Sequence, residues 1–338
     1  MNQNIDIIVT WVDGNDPIWL EEKKRCLQKQ NMYEKKSDSN IRFESWDNLQ
    51  YWFRAIEKFL PWFHNIIFVT YGHVPSFLKT EHPRLKIVKH EDYIPAEYLP
   101  TFNSNTIEMN FHRISQLSEN FILFNDDFFP LQPIEETYYF RGDQVCDEAV
   151  ENIITTASFG PVANMARYTQ VNNMFIINKY FQKKDVQSKN WDKWYCEDYG
   201  ELLDRTKSLQ YWYDFPGFHD PHMASAMKKS VLAHLWEIEE KALDTASRNH
   251  FRAYTDITQY LVRYWQLCTG EFFPRRTLGK LRFVDMQNYQ EIAKEIAEQK
   301  WQMISLNENC TPDEFEVIKR EVNAAFERIL PEKSSFEI

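Results

Sequence analysis

Glycine is scarce. The 338 residues include only 8, and neither G-x-x-x-x-G-K-[ST] nor G-x-G-x-x-G occurs. This excludes a phosphate-cradling loop of the P-loop or dinucleotide-binding kind, because both need glycines where backbone closes on phosphate. The five cysteines (Cys26, Cys146, Cys196, Cys268, Cys310) are odd in number and lack C-x-x-C spacing. That argues against a disulfide framework or a zinc ribbon and for a reducing compartment. No stretch approaches the roughly 18 consecutive apolar residues of a membrane-spanning helix. Met1 to Asn4 lead directly into an apolar strand with no signal-peptide pattern. Internal repeats, low-complexity tracts and Gly/Ser linkers are missing too. The expectation is a cytoplasmic protein with no transmembrane segment.

Positive charge is also in short supply: 39 Lys and Arg against 50 Asp and Glu leave a net charge of −11. Such a surface does not attract nucleic acid, and no nucleic-acid partner is expected. A phosphate-bearing ligand would need a local arginine or a metal ion, because the overall field opposes it. Aromatic residues, by contrast, are abundant at 16%, with 11 Trp, 17 Tyr and 25 Phe. Large rings build cores first, and some can stack on a sugar or a nucleobase.

The β-branched run Ile5 to Trp11 reads as a strand that meets the turn signal Asp13-Gly14-Asn15-Asp16-Pro17. A polar stretch from Lys35 to Asn40 reads as a mobile loop. Leu49, Trp52, Phe53, Ile56 and Phe59 fall at helical spacing within Asp47 to Leu60, and Pro61 ends that helix. Strands follow at Ile66 to Thr70, Leu85 to Val88 and Phe121 to Phe124, with a helical segment near Ile107 to Leu117 before the last. This alternation predicts a parallel α/β sheet with ligand sites at the carboxyl ends of its strands. The acidic turns at Asp13 and at Asp126-Asp127 would then share one sheet edge. The second half reads as mostly helical, over Pro221 to Lys241, Thr255 to Leu267 and Asn288 to Lys300. The last helix is the best defined. Thr311 caps it, Pro312 fits its first position, Glu314 completes a capping box, and Phe315, Ile318, Val322, Ala325, Phe326 and Ile329 line one face. The expected organisation is an α/β core over 1–180 and a mostly helical part over 181–338, packed together.

Asn125-Asp126-Asp127 is the first chemical candidate. Paired carboxylates at a strand end can hold Mg²⁺ or Mn²⁺, although adjacent acids also occur in ordinary loops. His219-Asp220-Pro221-His222 is the second. No third ligand stands at zinc-finger spacing, so His219 reads as a structural histidine, while His222 at a helix start suits a general base. Arg252 can offer a fork to a phosphoryl group or serve as an ordinary surface charge. The polar stretch Thr101 to Asn105 can hydrogen-bond sugar hydroxyls or form a plain loop.

Four ordered blocks together resemble the Stealth family of hexose-1-phosphate transferases. They are I-D-I-I-V-T-W-V-D-G-N-D-P; P-W-F with I-I-F-V-T, V-K-H-E-D, L-P-T-F-N-S, I-E and F-N-D-D-F-F; F-H-D-P-H-M with Phe251-Arg252 downstream; and S-L-N-E-N followed by L-P-E-K-S-S-F-E. The resemblance implies a GT-A-like, mostly parallel sheet flanked by helices, with a helical C-terminal half completing the site. It implies transfer of hexose-1-phosphate from a UDP-sugar to a glycan or lipid-linked acceptor, with UMP released, near the inner membrane face. On this resemblance Asp127 with Asp126 is the metal and phosphate acid, His222 the catalytic histidine and Arg252 its phosphate-binding partner. Asp13 and Gly14 belong to the nucleotide pocket, Asn103 and Ser104 to the donor side, and His219 and Asn307 to the substrate contacts. Glu308 stands where similar sequences carry Asp, which puts a direct ligand role there in doubt. The rivals are a metal-dependent glycosyltransferase releasing UDP and a non-catalytic glycan-binding protein.

Overall fold

The computed structural model describes residues 4–29, 46–156 and 161–338. The polar stretch from Lys35 to Asn40 lies outside them. In chain order the strands are β1 (Ile5–Trp11), β2 (Ile66–Thr70), β3 (Leu85–Lys89), β4 (Asn120–Asn125), β5 (Phe128–Pro130), β6 (Phe140–Arg141), β7 (Gln144–Asp147), β8 (Ser225–Lys228), β9 (Phe272–Pro274), β10 (Lys280–Val284) and β11 (Met303–Glu308).

The central sheet runs β3-β2-β1-β4-β8. Its first four strands are parallel, with Val9 opposite Phe68 on one side and Phe124 on the other, and β8 joins antiparallel to β4. Parallel strands covered on both faces read as continuous apolar runs instead of alternating ones. Ile66 to Thr70 is accordingly buried at every position, and Phe121 to Phe124 likewise. With its flanking helices this is the α/β, GT-A-like architecture that the sequence implied.

The helix Leu49–Phe59 covers one face, and Trp52 meets Phe124 edge-on with ring centroids 5.9 Å apart. The helix Pro312–Ile329 forms as its periodicity predicts, with the Thr311/Glu314 capping box in place and the apolar stripe buried. Phe326 stacks on Tyr51, and Arg54 reaches Leu330 O at 2.7 Å and Glu337 at 2.8 Å, which fastens the end of the chain to its beginning.

The second half departs from the sequence reading at one informative place. Ser225 to Lys228 forms β8, and the helix expected from Pro221 begins only at Lys229. Four residues cannot establish a helical period, and pairing with β4 satisfies their backbone groups instead. The other two helices are shorter than expected, Tyr260–Thr269 and Tyr289–Ala297. A second sheet, β10-β11-β5, lies beside the carboxyl end of β4, and β6, β7 and β9 form a third.

Candidate active site

The strand order doubles back at β1. The chain proceeds outward through β2 and β3, then returns to place β4 on the other side of β1. Diverging connections at such a point open a crevice beyond the strand ends, where ligands of open α/β sheets bind. Here the crevice is a cavity of about 390 Å³. Because Thr10 pairs in register with Asn125, the two acidic turns leave the sheet side by side.

Asp126 and Asp127 line the cavity directly after β4. The antiparallel pairing of β11 with β5 brings a second segment against them: Leu306 N donates to Asp127 O at 3.1 Å and Ser305 Oγ to Asp127 Oδ2 at 3.3 Å. Asn307 and Glu308 thereby join the same wall. Surrounding protein raises the Asp126 carboxyl to about 7, and the charges of Asp127 and Glu308 act in the same direction. The residue itself remains open to water within the recess, so solvent screens part of that repulsion. A crowd of hard oxygen ligands that resists ionisation fits a divalent cation, whose charge would reverse the shift. Among the described residues no three His, Cys, Asp or Glu side chains close a metal cage.

His222 faces this wall, its Nε2 3.5 Å from Asp127 Oδ2 and its ring edge-on to Phe128 at 5.0 Å. Its φ of 52° lies in the left-handed region, which residues other than glycine seldom occupy. The adjoining β8 fixes the chain on the following side, so the imidazole is held at the cavity mouth by backbone geometry as well as by contacts. Arg252 comes from the opposite direction. Phe102 N donates to His250 O at 2.8 Å, Phe102 and Phe251 stack with centroids 5.2 Å apart, and Arg252 Nη2 donates to Ser104 Oγ at 2.9 Å. Two loops distant in sequence are thus zipped together, and the guanidinium is aimed into the cavity.

The structure therefore gathers Asp126, Asp127, His222, Arg252, Ser104 and Asn307 into one site. It places four other candidates elsewhere. Asn103 is fully buried: its carbonyl accepts from Asn105 N at 3.1 Å and its amide donates to Asp256 at 2.9 Å, so it orients the Ser104 turn without reaching the cavity. His219 does not line the cavity and pairs with Glu148 at 2.6 Å in a separate network. Asp13 and Gly14 are partly exposed in the turn beyond β1 and do not line the cavity. Asp13 N donates to His73 Nε2 at 2.7 Å, and the wall itself is formed by the preceding Trp11 and Val12.

Two titratable lining residues, Glu108 and His90, were given no role in the sequence reading. Glu108 is buried, and burial pushes its carboxyl up to about 7 against the pull of nearby Arg252 and His222. The one available signal was an acid between the apolar Ile107 and Met109 on a short segment. His90 is buried at the end of β3, and nothing in its spacing marked it.

The chain matches Stealth protein CR1, conserved region 1, over residues 3–30 and Stealth protein CR2, conserved region 2, over residues 42–147. It is 37% identical to a capsular polysaccharide phosphotransferase, WcwK, of Streptococcus pneumoniae, over 99% of this chain and 98% of the relative. It is 33% identical to an exopolysaccharide phosphotransferase, cps2G, of Lactiplantibacillus plantarum, over 99% and 96% of the two chains. A receptor polysaccharide phosphotransferase, WefC, of Streptococcus gordonii is 32% identical over the whole of both. No helix among the described residues is long and apolar enough to cross a membrane. With full-length similarity to several phosphotransferases and both conserved regions in place around one cavity, the chain belongs to the Stealth family and is a phosphotransferase.

Proposed function

We propose that this enzyme transfers hexose-1-phosphate from a UDP-sugar to a hydroxyl of a capsular or exopolysaccharide chain, forming a phosphodiester and releasing UMP. N-acetylhexosamine is the proposed sugar. The observation that carries the reading is the convergence on one cavity of an acidic pair, a histidine and an arginine, from three segments that together span more than a hundred residues of the chain. Phosphoryl transfer asks for those parts: charge neutralisation, in-line positioning and a proton acceptor.

Asp126 and Asp127 would hold a Mg²⁺ or Mn²⁺ ion, which neutralises diphosphate charge when bound. Arg252, already held by Ser104, offers its remaining N–H groups to the equatorial oxygens of the transferred phosphoryl group. His222 accepts the proton of the attacking hydroxyl. The acceptor oxygen forms its bond to the sugar-bearing phosphorus, the bond from that phosphorus to the bridging oxygen breaks, and UMP departs. The anomeric C–O bond is untouched, so the configuration of the sugar is retained. Glu108, poised near neutrality, is suited to hold the proton passed on from His222 or to keep the imidazole oriented.

The deciding experiment incubates the protein with UDP-N-acetylglucosamine and related UDP-sugars, Mg²⁺ and a polysaccharide acceptor, and identifies the nucleotide released. UMP together with a new phosphodiester phosphorus resonance is expected. UDP would mean a conventional glycosyltransferase. Retained glycan binding with no turnover by either route would mean a binding protein.

A further inference from the structure

His90 is part of the cavity wall, yet no polar partner accounts for it. It is 6% exposed, its Nδ1 is sealed from solvent without a hydrogen bond, and among the described residues neither ring nitrogen is bonded. Buried polar side chains in folded proteins are nearly always paired, so a buried imidazole that lines a binding cavity, with its Nδ1 sealed and its Nε2 unbonded among the described residues, offers that Nε2 to a ligand.

The tautomer follows from the surroundings. Burial, with the nearby His73 adding to it, lowers the pKa of His90 to about 4, so the imidazole is neutral and carries one N–H. A proton on sealed Nδ1 would be a donor with no acceptor, a worse arrangement than an unused lone pair. The proton therefore belongs on Nε2, the nitrogen left to face the cavity.

Its place in the sheet says what that donor meets. His90 follows β3 and the acidic pair follows β4, with β2 and β1 between them. Three interstrand steps of about 4.8 Å separate the two by roughly 14 Å, within the reach of a nucleoside diphosphate. Trp11 and Phe102 also line the cavity, and Trp11 ends β1, between the two points. The partly exposed Trp11 ring suits stacking on a base, whereas Phe102 already stacks on Phe251. Resting on the function proposed above, we propose that His90 is the specificity residue for the donor nucleotide, its Nε2–H donating to a carbonyl of a uracil-type base. Cytosine and adenine present an amino group where uracil presents its 4-carbonyl, and two donors facing each other repel.

The test uses the full chain with Mg²⁺ and compares binding of UDP, CDP and ADP by calorimetry in the wild type, His90→Phe and His90→Gln. His90→Phe keeps a ring and loses the donor, whereas His90→Gln restores an N–H at similar reach. Wild type is expected to bind UDP at least about tenfold more tightly than CDP, the scale of one well-placed hydrogen bond. His90→Phe should remove most of that preference and raise the donor KM about tenfold with kcat nearly unchanged. His90→Gln should recover much of both. Thermal unfolding of all three chains checks that each is folded. A UDP-to-CDP ratio unchanged in His90→Phe overturns the proposal, as does a wild type that binds none of the three. If wild type releases UMP while His90→Phe discriminates normally, the assignment of His90 fails and the function stands. If base preference tracks His90 but UDP is the product, the function fails and the base contact stands.

Discussion

Around Arg263 the buried charges are paired, whereas Glu108 and Asp126 form no ion pair among the described residues. Arg263 grips both oxygens of Asp147 at 2.7 and 3.0 Å and reaches Asp220 at 3.3 Å, the His219 carbonyl at 2.8 Å and the Glu148 carbonyl at 2.9 Å. Tyr264, Gln170, His219 and Thr277 occupy the remaining carboxylate oxygens of Asp220 and Glu148. Burial alone would raise the Glu148 carboxyl, but the His219 bond and Arg263 outweigh it and hold it at about 2. In the cavity, by contrast, Glu108 and Asp126 form no ion pair among the described residues, and both are raised to about 7. The first arrangement holds the carboxyl end of β7 to the helix Tyr260–Thr269. The second leaves two acids without an ion-pair partner among the described residues, and such sites trade stability for function.

The most direct way to break the contrast is to make the paired cluster unpaired. Arg263→Ala strands Asp147 and Asp220 and should destabilise the protein by about 3–5 kcal/mol, seen as a large fall in Tm with activity lost through unfolding. Next come substitutions inside the cavity, which should do the opposite. His222→Ala should lower kcat roughly 10²–10⁴-fold while its Tm stays close to wild type. A comparable loss of fold in His222→Ala would show that the cavity is structural after all.

The smallest expected effects sharpen the comparison through pH. Glu108 has a raised folded pKa, so its contribution to stability is fully present below the ordinary carboxylate pKa and is lost as pH rises toward about 7. Glu148 has a depressed pKa, so its contribution is present above the ordinary value and is lost as pH falls toward about 2. Glu108→Gln should therefore remove a decline in Tm between about pH 4.5 and 7, a change of roughly 2–4 °C, without altering acid unfolding. Asp126→Asn should act in the same direction, more weakly because water reaches its carboxylate. If Tm in Glu108→Gln follows the wild-type pH profile, the carboxyl is not strained in the folded chain.

Much of this was legible along the chain. The apolar strands, the helix from Pro312 with its capping box, and the Asp126-Asp127 turn depend on neighbours within a few residues, so local pattern suffices for them. The β8 segment was not legible, since four residues carry no period and their partner strand lies about a hundred positions earlier. Nor could spacing separate Asn103 from Ser104: adjacent polar residues in a turn look alike until one points inward to Asp256 and the other outward to Arg252.

By itself, then, the sequence determined the α/β class, the exclusion of glycine-loop phosphate binding and most of the chemical groups. Those are consequences of composition, periodicity and turn chemistry, which act over short range. Only the tertiary structure decided which groups share a cavity, which carboxylate His219 pairs with, and that Glu108 and His90 line the cavity. Burial and partnership depend on contacts between segments far apart in the chain, and these are also what shift a carboxyl toward neutrality or leave an imidazole unpaired.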